Sequence, residues 1–258
     1  MSPSIFISGA AQGIGAAIAR LFYQHGYRVG IYDIDFSRAQ ALAEQLGDRA
    51  LAGTLDVRDY SQWQSALATF CEWAGELNVL VNNAGILYSG DFENTAIEQH
   101  QQTMRINVEG VMNGCHAALA WLIQSRHARV INLSSASAIY GQADLVSYSA
   151  SKFAVRGLTE ALDIEWQKHG IRVFDVMPLF VKTAMIKDMH AATIENMGVN
   201  LSAEDVALQV FALAQQKTHL FSATHRPVGL KTRLLYRLSG ISPQFLNRWS
   251  NLYLSRKK

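Results

Sequence analysis

Short apolar runs alternate along this chain with longer stretches in which apolar residues recur every three or four positions. The runs Ser4 to Ser8, Arg28 to Tyr32, Arg49 to Leu55, Val79 to Asn82, Val130 to Leu133, Arg172 to Val176 and Leu220 to Ala223 read as strands. Several are apolar without alternation, as parallel strands buried on both faces must be. Helical periodicity fills the gaps over Gly13 to Tyr23, Ser37 to Gln45, Ser61 to Trp73, Val108 to Gln124, Ser151 to Lys168 and Ala203 to Gln216. Strand–helix alternation of this kind predicts an α/β fold: a doubly wound, Rossmann-like parallel sheet with helices on both faces.

Two regions leave the pattern. Thr183 to Leu201 is rich in Met, Ala and small polar residues and reads as a flap beyond the sixth strand. Its Met185, Met189 and Met197 are read as packing residues or as the lining of an adaptable apolar site. Residues 226–258 form a basic tail. It carries Arg233, Arg237, Arg248, Arg256, Lys257 and Lys258 among Leu, Tyr, Phe and Trp, with breaks at Gly240 and Pro243. Two short amphipathic helices are expected there, docked on the body or touching a membrane surface. No Pro/Ser-rich linker or repeat interrupts residues 1–258, so one domain is expected, with a core over about 4–225.

Composition narrows the classes. At 258 residues and 49% hydrophobic, the chain can bury a large core. A net charge of +2 gives no argument for nucleic acid. Cys71 and Cys115, both in helical patterns, are expected to be buried small hydrophobes rather than a disulfide. The eight histidines show no metal-ligand spacing. No basic leader and no apolar run of about 20 residues is visible, so a cytoplasmic protein is expected.

The chemistry sits at both ends of the core. Ser8-Gly9-Ala10-Ala11-Gln12-Gly13-Ile14-Gly15 places three glycines between the first strand and the first helix. Glycine lets a backbone approach a pyrophosphate, and the helix N-terminus offers N–H donors to it. Asp33 closes the second strand, where a carboxylate accepts hydrogen bonds from ribose hydroxyls and repels a 2′-phosphate. No Lys or Arg occupies Ala10, Ala11, Gln12 or Ile34, so NAD is expected rather than NADP; Arg38 is the residue that argues the other way. Asp56-Val57 follows the third strand, with Asp56 read either as an adenine contact or as a turn aspartate. Asn83-Ala84-Gly85 follows the fourth strand, at the edge where a nucleotide lies. Near the middle, Tyr148 and Lys152 stand at i and i+4, one turn apart on a helix face. An ammonium there is expected to favour the phenolate and make the tyrosine an acid/base group near neutral pH.

In this order, together with Asn107 and Ser135, these motifs resemble the short-chain dehydrogenase/reductase family over about residues 4–225. The resemblance implies roles. Tyr148 exchanges a proton with the substrate oxygen, Lys152 assists it and holds the nicotinamide ribose, and Ser135 steadies the oxygen. Asn107 completes a proton relay through a water. Gly9, Gln12, Gly13, Ile14, Gly15, Asp33, Asp56, Val57, Asn83, Ala84 and Gly85 hold the cofactor, and Pro178, Val181 and Thr183 hold its nicotinamide end. Leu179 stands where the family usually has glycine. Tyr140, Gln142, Leu145, Leu179 and Leu87 are expected to line the substrate site. The activity implied is NAD(H)-linked interconversion of a medium or large hydrophobic secondary alcohol and its ketone, with a nucleotide-sensing binding protein and a membrane-surface lipid dehydrogenase as the rivals. A homo-oligomer is expected, dimeric or tetrameric, through the helices around 108–124 and 151–168. The tetramer edge is weakened because Ala223-Thr224-His225-Arg226-Pro227-Val228-Gly229 replaces the usual ending.

Overall fold

The computed structural model describes residues 2–183, 198–217, 222–240 and 242–254. Strand β1 (Ser4–Ser8) leads through helix α1 (Gly13–Gln24) to β2 (Arg28–Asp33), α2 (Phe36–Leu46), β3 (Ala50–Thr54), α3 (Tyr60–Ala74) and β4 (Val79–Asn82). Then follow α4 (Ile97–Met104), a π-helical turn (Arg105–Glu109), α5 (Gly110–Leu122), β5 (Arg129–Leu133), α6 (Val146–Glu165) and β6 (Arg172–Pro178). Helix α7 (Ala203–Ala214), β7 (His225–Val228), α8 (Leu230–Ser239) and α9 (Gln244–Leu254) complete the order. All seven strands form one parallel sheet, ordered β3-β2-β1-β4-β5-β6-β7. Its direction of winding reverses between β1 and β4.

Burial on both faces explains the unbroken apolar strands. Ile5, Ile7, Val29, Ile31 and Val81 pack toward α1 and α7. Their neighbours Phe6, Tyr32, Leu80 and Val130 pack on the other face, with Trp63 and Phe70 of α3 and Val111 and Cys115 of α5. Phe6 stacks on Tyr32 at 4.2 Å between ring centroids and meets Phe70 edge-on at 5.5 Å. Gly53 is required here, because a Cβ would run into the Tyr32 ring. Both cysteines are buried, and burial pushes both thiols up to about 12.

Caps set several helix starts. Asp35 accepts from Arg38 N at 3.1 Å, Asp59 accepts from Ser61 N and Gln62 N, and Ser202 forms a reciprocal box with Asp205. Two expectations need correction. The seventh strand is not Leu220 to Ala223: Leu220 and Phe221 fall outside the described residues, and Ser222 and Ala223 are irregular. The strand is His225–Val228, an edge strand in which Pro227 is tolerated. The predicted helix from Val108 to Gln124 begins earlier, through α4 and the π turn. Helix α4 is polar and buries only Thr103, so no apolar stripe announces it. Met185, Met189 and Met197 of the expected flap lie outside the described residues.

A buried ion pair joins α6, β6 and the approach to β7. Asp163 accepts from Arg172 Nε at 2.7 Å and Nη2 at 3.1 Å, from Val173 N at 3.0 Å and from Thr224 Oγ1 at 2.9 Å. Burial raises the Asp163 pKa, but Arg172, Val173 and Thr224 outweigh it and hold the carboxyl below its ordinary value. A depressed folded pKa stabilises the protein above the unfolded value of about 4, and that stability is lost as pH falls through the folded pKa. Asp163→Asn leaves Arg172 buried without its counter-charge. The expected cost is about 3–5 kcal/mol at pH 7, shrinking as pH drops below about 4, measured by urea unfolding across that range.

Candidate active site

The carboxyl ends of the strands around the β1/β4 reversal frame a cleft of about 460 Å³. One wall is the glycine turn. Gly9 and Gly13 have φ of +63° and +56°. A Cβ on Gly9 would lie 2.7 Å from Ala84 Cα, and one on Gly15 would strike Gly9 O and the Asn83 amide. Asn83 fastens the two turns together: its Nδ2 donates to Gly9 O at 2.7 Å and Ser8 O at 3.0 Å. Gln12, the N-cap residue of α1, makes no side-chain capping bond. Gly13 and Ile14, in the first turn of this helix, line the cleft, so the helix N-terminus borders it.

Asp33 stands at the next strand end, oriented by Ala11 N at 3.0 Å and Asp35 N at 3.1 Å. Arg38 donates to Gln12 Oε1 at 3.0 Å and pairs with Asp35 at 3.2 Å. Beyond it, Arg58 grips the Asp56 carboxylate through both oxygens and lowers its pKa. Sequence reasoning missed Arg58, which lines the cleft. Its partner two residues back was the only available signal. Gly9, Gln12, Gly13, Ile14, Asp33, Asp56, Val57, Asn83, Ala84, Gly85, Pro178, Val181 and Thr183 all line the cleft. Gly15 lies behind its wall as the spacer that keeps Gly9 and Asn83 close. Thr183 closes over Gly13, 3.5 Å from where its Cβ would be.

Tyr148, Lys152 and Ser135 meet at the floor. Lys152 is buried, donates to Leu133 O at 2.7 Å, and lies 5.5 Å from the Tyr148 ring centroid. Burial pulls its ammonium down to about 8, with Asp175 opposing. Burial also raises the Tyr148 pKa, and the hydrogen bond with Ser135 opposes this. Desolvation is thus the largest influence on the phenol in this structure. Ser135 is set by its own turn, accepting from Ser137 N at 3.1 Å. Ser134 instead donates to Lys152 O at 3.3 Å, which separates the two serines. Asn107 sits in the π turn, wholly buried. It accepts from Ile86 N at 2.8 Å and donates to Ile86 O at 2.9 Å and Ser151 Oγ at 3.1 Å. It thereby fixes the segment after Gly85 against α6. π turns of this kind recur at functional sites.

A model of the family described as short chain dehydrogenase matches residues 3–193. The 3-alpha-(or 20-beta)-hydroxysteroid dehydrogenase of Mycobacterium tuberculosis is 38% identical over 179 residues, covering 69% of each chain. The 3-beta-hydroxysteroid dehydrogenase of Comamonas testosteroni is 32% identical over 231 residues, 84% of this chain and 91% of that one. This chain belongs to the short chain dehydrogenase family. Among solved structures, the 3-ketoacyl-(acyl-carrier-protein) reductase from Brucella melitensis complexed with NADH has a TM-score of 0.82 at 26% identity, over 88% of this chain and 96% of that one. ElxO with NADP bound has a TM-score of 0.80 at 25% identity, over 88% and 97%.

As a short chain dehydrogenase, the protein is an oxidoreductase of alcohol or ketone substrates and binds a nicotinamide cofactor. The residues present fit that group, since Gly9 and Gly15 let the two turns close together and Gly9 and Gly13 line the cleft without side chains. Of the expected substrate contacts, Leu87 and Leu179 line the cleft, joined by Ile86 and Phe180. The others stand behind it. Leu145 is wholly buried against Phe180. Gln142 accepts from Ser137 Oγ at 2.9 Å and so backs Ser135. Tyr140 donates to Leu235 O at 3.3 Å and anchors α8.

The glycine turn yields a graded prediction. Gly13→Ala meets only ordinary contact with Thr183, so it suffers the positive-φ penalty alone, about 1–2 kcal/mol. Gly9→Ala adds a clash with Ala84 backbone and should lose clearly more. Thermal unfolding and fluorescence titration with NADH check the order. Equal losses would mean the Gly9–Ala84 approach does not govern the turn.

Proposed function

We propose that this dehydrogenase uses NAD(H) to interconvert a hydrophobic secondary alcohol and its ketone, with Tyr148 as acid/base. The observation that carries the reading is the convergence of Tyr148, Ser135 and Lys152 on the cleft floor, directly beside the glycine turn. A bound nicotinamide supplies or accepts the hydride. Tyr148 Oη gives its proton to the substrate oxygen in reduction and takes one back in oxidation. Ser135 Oγ stabilises charge developing on that oxygen, held in place through Ser137 and Gln142. Lys152 has one N–H on Leu133 O, which leaves donors for a ribose hydroxyl and for phenolate stabilisation. Asn107 holds the backbone at Ile86 and the neighbouring α6 turn, so it positions Lys152 rather than touching substrate.

Apolar walls at Ile86, Leu87, Leu179 and Phe180 favour a bulky hydrocarbon substrate. The names of the two relatives, both hydroxysteroid dehydrogenases, support a polycyclic or alicyclic alcohol. Asp33 supports NAD: its oriented carboxylate suits the ribose diol, and a 2′-phosphate would be repelled. Pairing of Arg38 with Asp35 and Gln12 supports the same choice. Met112 on α5, with Phe153 and Ile164 on α6, is exposed at 49%, 42% and 72%, which supports a homodimer through these helices.

Tyr148→Phe should lower turnover by at least about 10²- to 10⁴-fold while NADH still binds. Assay at 340 nm with a cyclic secondary alcohol, beside a binding titration, checks both halves. Near-normal turnover would remove Tyr148 from the mechanism. For the cofactor, kcat/KM should favour NAD over NADP by about 1–3 kcal/mol, and Asp33→Ala should narrow the gap. A native preference for NADP would transfer the adenosine site to Arg38.

A further inference from the structure

Charge in this chain is split by position. Seven of its 23 Lys and Arg residues fall within 231–258, and none of its 21 Asp and Glu residues does. The tail is therefore net +7, and the rest, with 16 cations against 21 anions, is net −5. A near-neutral total conceals this.

The same segment turns apolar side chains outward. Helix α8 packs inward through Thr232, Leu235 and Tyr236, against Ile139 and Met177. Its opposite face carries Leu230, Leu234 and Leu238, one per turn, exposed at 84%, 57% and 41%. Exposed Arg233 and Arg237 lie beside this stripe. Helix α9 is tethered by Asn251, which donates to Gly141 O. Phe245, Leu246, Trp249, Leu252 and Tyr253 are left exposed, with Trp249 and Tyr253 stacked at 6.2 Å. Arg248 stands among them.

We propose that α8 and α9 together form a docking surface for an anionic lipid membrane. Leucine and aromatic stripes bordered by cations, with no acidic residue, match the acyl boundary and the headgroup charge at once. Nucleic acid would satisfy the cations and leave the leucines wet. A second copy set tail against tail would oppose two cationic surfaces. The surface adjoins the substrate side of the cleft, because α8 packs in one cluster with Tyr140 and Leu179.

The test is co-sedimentation of the full-length chain with phosphatidylcholine vesicles, with and without phosphatidylglycerol. Binding should be at least about tenfold stronger with phosphatidylglycerol and should weaken in about 0.5 M salt. Leu234→Ser/Trp249→Ser and, separately, Arg233→Gln/Arg237→Gln/Arg248→Gln should each reduce binding about tenfold, with alcohol turnover unchanged. The charge variant keeps the apolar packing and decides the matter if the serine variant is unstable. No pelleting with anionic vesicles at low salt would overturn the proposal, as would equal binding to both vesicle types. So would tighter retention of duplex DNA, or a dimer that dissociates in the serine variant while vesicle binding persists. Binding is read without substrate, so its failure leaves the alcohol–ketone reading untouched.

Discussion

The near-contact of two turns, Gly9 after β1 and Ala84 after β4, is the constraint on which the site depends. These strands are neighbours, yet their connections leave to opposite faces of the sheet, which opens a crevice at their ends. The crevice is useful only if both turns stay tight, and any Cβ at Gly9 or Gly15 would push them apart. Asn83 converts the proximity into a defined geometry through its bonds to Ser8 O and Gly9 O. The position of the α1 N-terminus at the edge of the cleft follows from that closure.

Lys152 shows how a buried cation is accommodated on the same frame. It is anchored by Leu133 O, at the end of β5. Behind it, Asp175 of β6 bonds His225 Nδ1 at 2.9 Å, His225 Nε2 meets Glu160 at 2.7 Å, and Glu160 meets Arg156 at 3.1 Å. Burial raises Asp175; burial pulls His225 down, but its two carboxylate partners outweigh that and raise it. Lys152, Arg156 and Glu160 follow one another at four-residue spacing on α6, so a single helix face carries the buried lysine and the ionic string that crosses β6 and β7. Side chains as well as the ladder thus tie the edge strand to the sheet.

This explains why some of the chain was legible and some was not. Five strands were readable because they are buried on both faces, β3 at the other edge was readable although only partly buried, and the seventh was not. His225, Arg226 and Pro227 resemble a loop until Asp175 and Glu160 are known to lie opposite. Helix α4 escaped notice for a related reason: its sequence, Ile-Glu-Gln-His-Gln-Gln-Thr-Met, buries one threonine and presents no stripe. The site's backbone residues were legible because glycine spacing states a steric requirement directly. Effects that arise from enclosure were not. The upward shift of Tyr148 depends on how completely the phenol is desolvated, and an i, i+4 spacing carries no information about that.

Tyr140 illustrates the same limit and connects the catalytic loop to the tail. Its place between Ser135 and Tyr148 suggested a substrate contact, but its hydroxyl reaches Leu235 O instead. The loop that carries Ser135, Ser137 and Gln142 is therefore braced from behind by α8, while Asn251 of α9 holds Gly141. Leu179 occupies the join: it lines the cleft and also packs in the cluster with Tyr140, Leu235 and Tyr236. A glycine at that position would remove one apolar member from the cluster that Ile139 and Met177 share with α8. The bulky residue and the long tail are thus parts of one packing solution, in which the helices beyond the sheet back the loop that carries Ser135.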